Sequence, residues 1–278
     1  TAIHQQLSCG LAQQIALQAI DEEFDFDQRM QAQLLADQAQ SRSLETAGRF
    51  EPSTHARLTA LGTGIAQTPA EQLAPLLLAS LEDGLDPADL VDTFALLRAA
   101  AYAVTSIDAV SVHEGANPQV QSALTACIAA DALQLCMRST QSLSLRYELA
   151  LAAPLSPSAS SLDSVGELWV PPFDSSGLAD TLLALADADP DSAAEAATAI
   201  PPQDHESTNQ AWLAIRRAVA ADSSLQMQPL AQVAALERGF RTTDHPARIW
   251  FVAAAARTAA QSRSHAEPLA ALAEDILS

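Results

Sequence analysis

Leu85-Asp86-Pro87-Ala88-Asp89-Leu90-Val91-Asp92-Thr93-Phe94-Ala95-Leu96-Leu97-Arg98-Ala99-Ala100-Ala101-Tyr102-Ala103-Val104 is a helix that carries its own start signal. Asp86 is a good N-cap, and Pro87 suits the first helical position, where a missing N–H costs nothing. Leu90, Phe94, Leu97, Ala101 and Val104 follow at alternating spacings of four and three, which makes one inward packing seam. A polar loop with His113-Glu114-Gly115 comes next, and Asn117-Pro118 then opens a second helix to about Met137. The unit from Leu85 to Leu135 therefore reads as two Pro-initiated helices joined by a short loop.

The same grammar extends outward. Ile3, Leu7, Leu11 and Ile15 lie four apart and predict an amphipathic helix over 2–20, and a second is expected over 25–47. Pro52 opens a short helix through Leu61, with Gly62 and Gly64 as its stop. Thr68-Pro69-Ala70-Glu71 is a capping box for a helix to Glu82, with Pro75 as a kink point and Gly84 as the terminator. A further short helix is expected over 143–151. Residues 153–166 are rich in Ser and Pro, the best linker in the chain, and lead into an extended Trp169–Phe173. Helices resume at about 176–187, 190–200, 206–221, 225–239, 245–261 and 264–277, with Asp189-Pro190, His245-Pro246 and the box Ser264-His265-Ala266-Glu267 as caps, and with Pro229 shortening or kinking the fourth. No stretch reads convincingly as a strand. The expected fold is all-α, a multi-helix bundle or irregular helical repeat. An N-terminal half over 1–152 and a C-terminal half over 176–278, packed on the first, flank a linker over 153–175.

The halves share local patterns. Leu73–Ala79 can be laid on Leu178–Ala184, and a two-residue deletion then brings Asp86-Pro87 onto Asp189-Pro190. Asn117-Pro118 parallels His245-Pro246. An internal duplication and a single irregular bundle both fit these matches.

Composition supports helices and narrows function. Alanine, the best helix former, is roughly a fifth of the chain, and aromatics are only 4%. The net charge is −20, and all 14 basic residues are Arg, scattered among 34 acidic ones. That balance disfavours nucleic acid and anionic membrane surfaces, both of which need clustered cations. Without lysine there is no Schiff-base or P-loop chemistry. Cys9, Cys127 and Cys136 form no metal-spaced pair and suit a reduced, cytoplasmic chain. No run of apolar residues reaches membrane-spanning length.

Ile249-Trp250-Phe251-Val252-Ala253-Ala254-Ala255-Ala256 resembles a segment of the questin oxidase-like family. In that family an apolar lead-in runs into a His-Ala-Val-Thr helix. Here Ala253 stands at the His position and Ala256 at the Thr position. Ser122-Ala123-Leu124-Thr125 is similar again, with Ser122 in place of His. The resemblance implies an all-α fold and cofactor-independent oxidation, but it supplies no catalytic histidine at these positions.

The remaining chemistry rests on single residues. His113 and His245 occupy comparable places before Pro-started helices. If they share a cleft, they form a base and acid pair, or a metal site with Glu114 or Asp244. As ordinary loop and cap histidines they do neither. Asp131, in Ile128-Ala129-Ala130-Asp131-Ala132-Leu133, sits among apolar residues and needs a partner. Arg98 is the obvious one, giving a structural ion pair, and a catalytic acid is the sharper alternative. Arg98, Glu114, Ser122 and Trp250 are the candidate pocket residues. Trp212, Trp250, Phe251 and Phe94 read as core anchors. No metal-ligand spacing, dinucleotide fingerprint or nucleophile elbow is present, and no cofactor is expected.

Two functions fit these observations. One is a non-enzymatic helical scaffold, partner subunit or accessory protein that binds another chain or a second copy of itself. The other is a divergent helical oxidoreductase or small-molecule-binding protein with a His-containing pocket for a small apolar ligand.

Overall fold

The computed structural model describes residues 33–34, 37, 54–68, 70–104, 133–139, 143–152, 170–174, 176–221 and 227–262. These residues form helices and no strand. The helices are α1 (His55–Gln67), α2 (Ala70–Glu82), α3 (Pro87–Val104), α4 (133–139), α5 (Leu143–Ala152), α6 (Gly177–Ala186), α7 (Pro190–Thr198), α8 (His205–Ala221), α9 (Met227–Thr242) and α10 (249–262), with a 3-10 turn at Pro246–Arg248 before the last. The chain divides into two compact units. One comprises Thr1–Leu97 with Ile128–Leu168, the other Arg98–Cys127 with Trp169–Ser278.

In the first unit α2 packs on α5. Leu73, Leu77 and Leu81 from α2 are buried, as are Tyr147, Leu149 and Leu151 from α5. Each fully buried side chain of this size contributes roughly 1.5–3 kcal/mol. α2 ends in a Schellman turn: Gly84, at φ 84°, donates to the Leu81 carbonyl and Leu85 donates to the Ser80 carbonyl. Asp86 then caps α3, its Oδ1 accepting from Ala88 N at 2.9 Å and from Arg146 of α5 at 2.9 Å.

One local expectation is corrected. α1 runs through Gly62 and Gly64 to Gln67 instead of stopping at Leu61. Each glycine costs a helix about 1 kcal/mol, but Leu58, Gly62 and Ile65 form one buried face, and that packing carries the helix past the penalty. The Thr68 hydroxyl donates back to the Gly64 carbonyl at 2.6 Å, at the end of α1. Pro229 falls in the first turn of α9, where no backbone donor is needed.

The seam of α3 is nearly as expected. Leu90, Phe94, Leu97 and Ala101 are buried. Val104 is the exception at 43% exposed. Thr93, Leu96 and Arg98, off the stripe, are buried too, so α3 is covered on more than one side.

In the second unit α6 packs on α7, and α8 packs on α6 and α9. α6 also ends in a Schellman turn, with Ala188 at φ 54° donating to Leu185 and Asp189 donating to Ala184. Asp189 caps α7 at once, with Pro190 at the first helical position. Gly177 lets α6 start against the end of α7, because a Cβ there would lie 2.8 Å from the Ala199 carbonyl carbon. α10 is buried on every side from Ile249 to Ala260. Its alanines let neighbouring axes approach closely.

Candidate functional site

The buried polar groups fall into separate clusters. The densest surrounds Arg257 on α10. This side chain is 1% exposed. Its Nη1 donates to the carbonyls of Tyr102 at 3.1 Å and Ala103 at 2.6 Å, in the last described turn of α3. Its Nη2 donates to Asp191 in the first turn of α7. The guanidinium carbon lies 5.8 Å from the centre of the Tyr102 ring. The Tyr102 hydroxyl donates to Gln261 Oε1 at 3.3 Å and accepts from Thr258 at 3.3 Å. Burial pushes the Arg257 pKa down, and Asp191 pushes it back up. The arginine therefore closes the C-terminus of α3, where the helix dipole favours a cation, and ties it to the N-terminus of α7.

His245 is buried at the start of the 3-10 turn. Its Nδ1 accepts from Ala247 N at 3.0 Å, so in this arrangement Nδ1 is unprotonated and a proton on the ring sits at Nε2. The imidazole replaces the Asp or Asn that usually caps such a turn. Next to it, Arg248 donates to the carbonyls of Pro202 at 2.8 Å and Thr243 at 3.3 Å. Its guanidinium also stacks 4.7 Å from the Phe240 ring centre, and Phe240 meets Trp212 edge-on at 5.8 Å. Asp244, placed beside His245 as a possible metal ligand, points to solvent and makes a 3.7 Å pair with Arg248. No group of three or more His, Cys, Asp or Glu side chains is placed to hold a metal among the described residues.

In the first unit Asp92 is a half-buried carboxylate. Its Oδ1 accepts from Gln134 at 2.6 Å and its Oδ2 from Arg138 at 3.3 Å, both on α4. Burial pushes its pKa up to about 6, against the lowering effects of Arg138 and Gln134. Nothing in the local sequence singles out Asp92, one of several acids near the start of α3.

The sequence candidates are placed as follows. Arg98 and Trp250 are buried, and His245 is a buried cap. His113, Glu114, Ser122 and Asp131 lie outside the described residues, and so does the proposed Arg98–Asp131 pair. Ala253 and Ala256, at the two motif positions of the questin oxidase-like resemblance, are fully buried. Sequence reasoning missed Arg257 and Asp92. A lone arginine in an apolar run was the one available signal for Arg257.

Charge and apolar exposure meet on α6. Its outward residues Ala179, Leu182, Leu183 and Ala186 are exposed, next to exposed Asp180 and Asp187. No described helix is long and apolar enough to cross a membrane. No family model, no curated protein and no solved structure matches the chain.

Proposed function

We propose that the chain is a non-enzymatic helical scaffold or partner subunit that works by holding another polypeptide. The observation that carries this reading is the pair Leu182 and Leu183, which lie side by side on the outer face of α6 in a protein of net charge −20. Leucines that complete no core of their own suit an interface. In contrast, Arg257 and His245 are engaged in closing helix and turn ends. Native mass spectrometry of the purified full chain tests the reading. The expected result is a stoichiometric complex with another polypeptide or a second copy; a stoichiometric small molecule and no polypeptide would contradict it.

A second reading, a divergent helical oxidoreductase or small-molecule-binding protein, draws on one observation. Asp92 is a half-buried carboxyl whose pKa, pushed up to about 6, suits proton transfer at neutral pH. Under that reading the Asp92→Asn variant loses a bound ligand or a turnover that the wild type shows.

A further inference from the structure

Between Arg146 and Arg216 the sequence has eleven Asp and Glu residues and no Arg or Lys. α6 lies inside this stretch. Its inward face is Gly177, Thr181, Ala184 and Leu185. Its outward face carries Leu182 at 41% and Leu183 at 64% exposure, flanked along the helix by Ala179 and Ala186. Asp180, Leu183 and Asp187 are spaced three and then four apart, so the most exposed leucine stands between two carboxylates on one line. Asp189 and Asp191, just beyond, are already engaged by Ser192 and Arg257. Asp180 and Asp187 form no ion pair among the described residues and are open to an incoming cation.

The width and charge of the strip define its occupant. An apolar stripe one helix wide is complementary to one face of another helix. A second copy of the same face would set Asp180 and Asp187 against their own counterparts with no cation between them, and like charges across an interface are repulsive. The complementary surface is cationic.

We propose that the outer face of α6 docks a cationic amphipathic helix of a partner protein, with Leu182 and Leu183 against its apolar stripe and Asp180 and Asp187 against its Arg or Lys side chains. The proposal rests on the partner-subunit reading and names its partner by chemistry. Association is steered by charge and fixed by the leucines, so the carboxylates set the salt dependence and the leucines set the specificity for an apolar pattern.

The test uses the full chain and fluorescence anisotropy at near-physiological salt. The probes are a labelled short peptide with leucines three and four apart among lysines, a scrambled peptide of the same composition, and a patterned peptide with Glu for Lys. The patterned cationic peptide is expected to bind at least about tenfold more tightly than either control, a difference of about 1.4 kcal/mol. Leu182→Ser/Leu183→Ser is expected to remove that preference, Asp180→Asn/Asp187→Asn to weaken binding and flatten its salt dependence, and Leu230→Ser on α9 to change neither. Circular dichroism confirms that each variant is folded. Equal binding of patterned and scrambled peptides overturns the proposal, as does patterned binding that survives the double leucine change. Self-association lost in the double leucine variant overturns it in favour of a second copy. If no peptide binds while native mass spectrometry shows a stoichiometric polypeptide, the docking face is wrong and the partner-subunit reading stands. If only a small molecule is found, both fall.

Discussion

Arg257 Nη1 lies 2.6 Å from the carbonyl oxygen of Ala103, so a side chain from α10 closes the C-terminus of α3. The two residues are 154 positions apart. The bond gives a donor to a carbonyl in a buried setting, where a lost partner is costly. Asp191 also bonds Arg257 but is 50% exposed, so its share of the interaction is screened. Arg257→Met, which takes the donor from buried carbonyls, should therefore cost about 1–3 kcal/mol, and Asp191→Asn about 0–1 kcal/mol. Urea unfolding of both variants measures the contrast. Equal losses would mean that the ion pair, not the helix cap, is the larger effect.

The two Schellman turns differ at one residue. Gly84 takes φ 84° without strain, whereas Ala188 holds φ 54° with a Cβ. A left-handed residue with a side chain costs roughly 1 kcal/mol relative to glycine. Ala188→Gly should raise stability by about 0.5–1 kcal/mol, and Gly84→Ala should lower it by about 1 kcal/mol or more. Thermal unfolding of both variants is the measurement.

Asp92 makes the first unit respond to pH. Its folded pKa, about 6, lies above the ordinary value of 3.8. A raised carboxyl pKa means that the folded state binds the proton more tightly, so this group's contribution is fully present below pH 3.8 and is lost as pH rises through about 6. Asp92→Asn mimics the protonated form and can keep the acceptor for Gln134. It should be more stable than wild type at pH 8, by on the order of 1–3 kcal/mol, with the difference vanishing in acid. Denaturant unfolding across that pH range checks the sign. A variant less stable than wild type at pH 8 would show that the Arg138 pair outweighs burial.

Gly177 is a contact, not a hinge. A Cβ there would lie 2.9 Å from Ile200 N as well as against the Ala199 carbonyl carbon, and backbone cannot move aside as a side-chain tip can. Gly177→Ala should destabilise by roughly 1–3 kcal/mol, the usual cost of overpacking. Loss of the α6–α7 contact should appear as faster amide exchange in both helices.

What the sequence revealed follows the range of each interaction. Asp86-Pro87, Asp189-Pro190 and His245-Pro246 were legible because a cap forms within three residues of chain. The early stop placed at Gly62 failed because the buried face of α1 is a tertiary feature that outweighs glycine propensity. The α3–α4 contact was sought in Arg98 and Asp131. That pair lies outside the described residues; the described contact between the two helices is Asp92 on α3 with Gln134 and Arg138 on α4. Arg257 was invisible for a simpler reason: its acceptors are backbone carbonyls, which leave no trace in residue type. His245 was found at its helix start, and its role as a backbone acceptor depends on a ring orientation that spacing does not specify.

The central claim is that buried polar groups such as His245 serve the fold while the α6 surface serves the function. Native mass spectrometry of wild type, His245→Asn and Leu182→Ser/Leu183→Ser tests it most directly, since Asn can still cap the turn. The account predicts that the His245→Asn chain keeps its stoichiometric polypeptide partner and the double leucine variant loses it. A bound small molecule that disappears in His245→Asn, with assembly indifferent to the leucines, would contradict it.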